Sequence, residues 1–272
     1  MSYPISHKER TERAYDVSAE MYDKTVGKSM AARTNLLLRD VQIPENPTVL
    51  DVGCGTGIST FELMKRVQGK GRFYGIDISQ KMTDLAVIRA TDLGYSNVDF
   101  RKGDAERLEF PESSFDLVIS NLAFHWVQNK EKSLREMFRV LRTGGQVALL
   151  FNGELHFKEA LVIYDTVRKR HPEYVFPESS WLKALSLEET HELLEKTGFR
   201  KSIIFAIHEI NYVDPSMFLL ARDATTSYWQ VGLQPEVADK LKKEFLEEAT
   251  RSKTDEGWKL TSYNIIAYAQ KA

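Results

Sequence analysis

VLDVGCGTG, residues 49–57, is an apolar run that ends in three alternating glycines, Gly53, Gly55 and Gly57, and leads directly into the helical pattern ISTFELMKR. Glycine is required in such a turn because the backbone adopts positive φ and because a ligand must approach it with no Cβ in the way. Asp51 stands two residues before the first glycine, where a carboxylate can order the loop and meet a cationic amine or its water shell. About twenty residues past the loop the next apolar run, FYGID (73–77), ends on Asp77, the position at which doubly wound nucleotide folds set an acid on ribose hydroxyls. Strand, glycine loop, helix, strand and acid in that order predict the first half of a parallel α/β sheet.

Working outward, the same alternation continues. Helical periodicity over 79–93 is followed by short apolar runs at 98–100 and 115–120, a helix at 130–142 and a run QVALLF at 146–151. In the 130–142 segment Leu134, Met137, Phe138 and Leu141 recur at i, i+3, i+4 and i+7, the stripe of a helix laid on a sheet. Regular βαβ alternation with apolar strands predicts an α/β fold: a doubly wound, mostly parallel seven-stranded sheet, Rossmann-like, covered on both faces. Residues 1–45 read as an N-terminal helical lid in two runs, 46–152 as the cofactor-binding core, and 153–272 as cap helices with the last strands of the same domain. In that last part Ser186 with Glu189 forms a capping box before a helix over 187–197, and Gly198 takes the C-terminal cap. Strands are expected at 202–210 and 262–270, with helices near 215–226 and 235–250 between them.

Composition narrows the partners. The 272 residues carry a formal charge of −2, so no net field draws this chain to nucleic acid or an anionic membrane. The single cysteine, Cys54, excludes an internal disulfide framework and a multi-cysteine metal site and fits a reducing compartment. The charged first thirty residues hold no secretory apolar stretch, and no segment reaches the ~18 apolar residues of a membrane span; cytoplasmic localisation is the expectation. The histidines at 7, 156, 171, 191 and 208 show no paired metal spacing, and no metal is expected.

The loop separates two cofactor classes. A dinucleotide fingerprint is G-x-G-x-x-G, whereas this one is G-x-G-x-G with Asp51 upstream, which would repel a pyrophosphate. A ligand with a cationic amino-acid end and an adenosine end suits it: S-adenosylmethionine, leaving as S-adenosylhomocysteine. On VLDVGCGTG, GDAERLEF (103–110), FDLVISNLAFHWV (115–127) and LREMFRVLRTGGQVALL (134–150), the chain resembles class I S-adenosylmethionine-dependent methyltransferases across about residues 49–152. The resemblance implies cofactor contacts from Asp51, Gly53, Gly55, Gly57, Asp77, Ile78, Asp104, Ala105, Asn121 and Tyr22, with Asp104 and Ala105 at the adenine. Gly144 and Gly145 serve a turn.

The segment after the fourth strand, Asn121 to Val127, lies where the methyl should emerge, since ligands of open α/β sheets sit beyond the carboxyl ends of the strands. NLAF lacks the Pro-Pro of DNA adenine and glutamine N-methyltransferases, and Cys54 stands in the wrong place for cysteine-dependent base methylation. AFHWVQN resembles small-molecule carboxyl methyltransferases, and YDVSAEMYDK (15–24) resembles these and quinone C-methyltransferases. The acceptor is therefore expected to be a small molecule, with a carboxylate oxygen first. C- or N-methylation of a quinone-like or amine metabolite is the alternative, and a non-catalytic S-adenosylmethionine-binding module the competitor from another class. Tyr15 and Trp126 are expected in the substrate pocket, and His125 as a base or a donor to an acceptor carboxylate, against a plainer role capping the turn beside Trp126.

Overall fold

The computed structural model describes residues 6–174, 184–226 and 233–272. Seven strands form one sheet in the order β3-β2-β1-β4-β5-β7-β6. The parallel part comprises β1 (Thr48–Val52), β2 (Arg72–Asp77), β3 (Val98–Lys102), β4 (Phe115–Asn121) and β5 (Leu141–Asn152). Two long strands, β6 (Arg200–Val213) and β7 (Trp258–Gln270), complete it, with β7 antiparallel to both β5 and β6. Strand order reverses between β1 and β4, so the crevice beyond their carboxyl ends is where such a sheet takes a ligand.

Helices α2 (Ile58–Arg66), α3 (Gln80–Asp92) and α4 (Lys130–Val140) cover the sheet as the periodicity requires. Leu134 and Met137 of α4 are buried in a core with Val118, Val147, Leu149 and Phe151, while Phe61, Leu63 and Met64 of α2 fill the opposite face with Phe73 and Phe100. The capping box of α6 (Leu187–Lys196) forms as expected, and Gly198 follows it at φ 105°.

Four features differ from the sequence reading. The N-terminal segment is one helix, α1 (His7–Leu37), rather than two runs, because nothing between Met21 and Thr34 interrupts it. Its start is fixed by a capping box, Ser6 with Glu9. Gly144 lies within β5 as a bulge, φ 81°, since its N–H donates to the Lys271 carbonyl and the register against β4 jumps there. The late strands run several residues further than their apolar cores suggested.

The fourth difference is a helix that the sequence reading did not mark, α5 (Lys158–Arg170). It lacks a side-chain cap, beginning at Phe157 with φ 51°, and buries only Ala160 and Val167 among its own residues. With α7 (Pro215–Thr226) and α8 (Pro235–Arg251) it builds a separate apolar cluster around Leu241, Phe245, Trp258 and Leu260. Glu159 fastens this cap to the sheet by accepting from the Thr261 N–H at 2.9 Å and its hydroxyl at 2.6 Å. Among the described residues no helix is long and apolar enough to cross a membrane, and no group of three acids, histidines or cysteines could hold a metal.

Candidate active site

The glycine loop leaves β1 at the sheet's reversal point and wraps a cleft lined by Gly53, Gly55, Asp77, Ile78, Asp104, Ala105, Asn121, Tyr15, Tyr22 and Trp126. Ten of the sequence-expected residues are thereby brought to one cavity from the ends of β1, β2, β4, the turn after β3, and α1. The Gly55 N–H donates to Asp77 Oδ2 and the Ser79 N–H to Asp77 Oδ1, both at 2.9 Å, which clamps the carboxylate at the end of β2. Burial raises its pKa, opposed by those backbone donors. A Cβ placed on Gly55 would meet no protein atom within 4 Å, so the space it would enter belongs to the cleft.

Two expected cofactor residues do not line the cleft. Gly57 caps α2 in the left-handed region, φ 82°, and a Cβ there would meet the rings of Phe61 at 2.7 Å and Phe100 at 3.0 Å. Its glycine is a packing requirement of the core behind the loop. Asp51 is also held behind the loop, 1% exposed, where Thr60 donates to Oδ2 at 2.7 Å. Its Oδ1 has no partner, and burial pushes its carboxyl up to about 7.

Asn121 lies in the cleft wall at the end of β4 and donates through Nδ2 to Thr34 and Ser59, each at 3.0 Å, so that Oδ1 is left buried without a donor. The unsatisfied oxygen of Asn121, in the wall of the cleft, suits an ammonium donor. The clamped Asp77 carboxylate suits a diol at the other side of the loop. These are the complementary groups of S-adenosylmethionine.

Helix α1 lies across the cleft, and its part in the site exceeds what two tyrosines suggested. Lys8 contacts Asp104 at 2.7 Å and Glu106 at 2.9 Å, and His7 Nε2 lies 2.9 Å from the Trp126 carbonyl. One oxygen of Asp104 is thus turned to Lys8, and the other accepts from the Glu106 N–H at 2.8 Å. Asp16 accepts from the Ser79 hydroxyl at 2.6 Å, Asp23 pairs with Arg89 and Thr56, and Glu12 with Lys102. The sequence signal for Lys8 was only a charged first turn, which any solvated helix shows.

Beyond this cleft lies a second cavity of about 240 Å3, lined by His125, Asn152, His156, Phe157, Phe218 and Arg222 among others. The two cavities share a partition made of Tyr15, Tyr22, Met30, Leu122 and Trp126. Tyr15 stands edge-on to both Tyr22 and Trp126, with centroids 6.1 Å and 5.9 Å apart, and burial holds both phenols above their ordinary range. Arg222 and the cap aromatics were not foreseen, because they reach the cavity from α7 and the α5 start, 101 residues (Arg222) and 36 residues (Phe157) past the β4 exit at Asn121 in sequence.

His125 sits in a short 3-10 turn, Phe124–Trp126, and is 4% exposed. Asn152 faces both ring nitrogens, its backbone N–H 3.5 Å from Nδ1 and its side-chain nitrogen 3.2 Å from Nε2, and a neutral ring can accept from only one of these two donors. Burial takes its pKa well below the usual imidazole value, so the ring is neutral. These contacts tie the turn that carries Trp126 to the end of β5, and the ring lines the second cavity rather than the cofactor cleft.

Residues 43–198, more than half of the chain, match the sequence profile of a methyltransferase domain. The chain is 29% identical over 179 residues to demethylmenaquinone methyltransferase of Lactobacillus johnsonii, covering 61% of this chain and 73% of the relative. It is 28% identical over 210 residues to the Staphylococcus aureus protein of the same name, covering 71% and 86%. Among solved structures, Bacillus subtilis YcgJ superposes with a TM-score of 0.65 at 20% identity, over 88% of this chain and 98% of that one. Haemonchus contortus phosphoethanolamine N-methyltransferase 2, in complex with S-adenosyl-L-methionine, gives 0.63 at 21% identity, over 98% of this chain and 60% of that one. The structural likenesses speak to the fold and the sequence match to the family: this chain belongs to the S-adenosylmethionine-dependent methyltransferases of class I fold.

Proposed function

We propose that the enzyme methylates a ring carbon of a small hydroxylated aromatic, quinol-like acceptor bound in the second cavity. The observation that carries this reading is the cavity itself, which meets the cofactor cleft at the aromatic partition of Tyr15, Tyr22 and Trp126. Phe157 and Phe218 face the partition's other side of the same cavity, a lining suited to a flat ring. The names of the relatives support the same class.

S-adenosylmethionine supplies, when bound, a methyl group on sulfur already activated for in-line displacement. Asp77 and Asn121 would hold its two ends, and the partition would align the acceptor and exclude water. The Arg222 guanidinium, always cationic although burial lowers its pKa, favours loss of the acceptor hydroxyl proton to water. Electron density from the resulting oxyanion would make the ring carbon nucleophilic, and on methylation that carbon would lose its hydrogen as a proton to water.

Arg222 with Arg33 in the same wall also favours a carboxylate, which keeps carboxyl O-methylation as the second reading. Methyl-labelled S-adenosylmethionine, offered with reduced short-chain demethylnaphthoquinones and with a panel of small carboxylic acids, separates the two. Label in an alkali-stable ring product is expected. Label released by alkali as methanol would establish the ester reading instead, and absence of S-adenosylhomocysteine with every acceptor would leave a binding module.

A further inference from the structure

His156 lies in the turn between β5 and α5, 8% exposed, in the wall of the second cavity. The Tyr263 backbone N–H donates to its Nδ1 at 3.1 Å. A backbone amide can only donate, so Nδ1 must present its lone pair. Burial, with the Arg222 and Arg33 cations nearby, brings the ring's pKa down to about 3, and it stays neutral. A neutral imidazole carries one proton, and with Nδ1 committed that proton is on Nε2. The ring is held in place by Phe157, with centroids 4.0 Å apart.

Nε2–H has no acceptor among the described residues, and it is not one of the sealed polar atoms of the interior, so it opens on the cavity. A fixed donor that faces a cavity beside a guanidinium is suited to an oxygen on the ligand. We infer that His156 is the hydrogen-bond donor that recognises an acceptor oxygen, with Arg222 next to it, and that this pair selects phenolic or carbonyl compounds and rejects cationic amines. The inference rests on the second cavity being the acceptor site, and it adds a specificity residue that the spacing of the histidines did not single out.

The test compares 1-naphthol with naphthalene, which differ only in the hydroxyl, by equilibrium dialysis against protein saturated with S-adenosylhomocysteine. One hydrogen bond to a neutral partner predicts about a ten-fold preference for 1-naphthol in the unaltered protein. His156→Asn keeps an oxygen near Nδ1 for the Tyr263 N–H but removes the imidazole donor; the preference should fall several-fold, through weaker 1-naphthol binding rather than tighter naphthalene binding. His156→Gln returns an N–H near the Nε2 position, and the preference should persist. Retention of the preference in His156→Asn, its loss in His156→Gln, or no preference in the unaltered protein overturns the assignment. These readouts involve no methyl transfer, so they stand apart from whether the labelled product proves to be a ring carbon or an ester.

Discussion

Asp51 is a carboxylate kept dry by the loop it supports. Thr60 donates to its Oδ2, its Oδ1 has no donor, and burial raises its pKa to about 7 against 3.8 for an exposed aspartate. Between those values the folded protein holds a proton that the unfolded chain has released, so stability is full below about pH 3.8 and falls as pH rises through about 7. The loss amounts to a few kcal/mol at ~1.4 kcal/mol per unit. Asp51→Asn, which cannot ionise, should therefore flatten the dependence of Tm on pH between 5 and 8 in the ligand-free protein. Scanning calorimetry across that range checks it, and an equally steep profile in the variant would show that another group carries the linkage.

At the scale of elements, α1 is unevenly held. Its last turns bury Leu37, Leu38 and Thr34 against the core, whereas its first half buries only Ala14, Ser18 and Ala19, with Val17 and Met21 more than half exposed. That half is fastened to the cleft by Lys8, Glu12, Asp16 and Asp23, part-exposed polar pairs of ~0–1 kcal/mol each that salt screens. Such fastening is well below an ordering cost of ~1–2 kcal/mol per residue, so added burial from a ligand beneath Tyr15 and Tyr22 would favour closure. Limited proteolysis should cut within residues 7–25 without ligand and spare them with S-adenosylhomocysteine, with protection weakening at high salt. Identical cleavage in all three conditions would make α1 a permanent wall. The sequence showed a helix here from the clustering of Ala14, Tyr15, Ala19 and Tyr22, but its polar latches reach acids and hydroxyls up to a hundred residues away, a pairing no local pattern encodes.

Over the whole molecule, two apolar cores flank the sheet and a third lies in the cap, where Phe245 and Trp258 meet edge-on at 5.9 Å. Among the described residues the cap supplies Phe157, Phe218 and Arg222 to the second cavity but none of the cofactor cleft's wall. Phe245→Ala should cost about 3–5 kcal/mol of stability, from lost burial and the void left behind. It should also raise the KM for a reduced demethylnaphthoquinone while leaving S-adenosylhomocysteine affinity as it was. Denaturant titration and calorimetry read the two effects, and a parallel loss of cofactor affinity would show that cap and cleft are one mechanical unit.

The parallel sheet, the glycine loop and the acid at the end of β2 were legible in the chain because each is a local requirement: apolar strands two-sidedly buried, a backbone at positive φ, a carboxylate at a fixed distance past the loop. Asp77, Gly55 and Asn121 accordingly stand where their spacing put them. Which carboxylate is wet and which is dry was not local, and only packing placed Asp51 and Gly57 behind the loop rather than at the ligand. The tautomer of His156 depends on a strand amide a hundred residues onward, and the second cavity on helices that share no motif with the core. Sequence determined the cofactor's half of the site; the antiparallel return of β7 and the cap it anchors decided the other half, because contacts between distant segments exist only once the chain has folded.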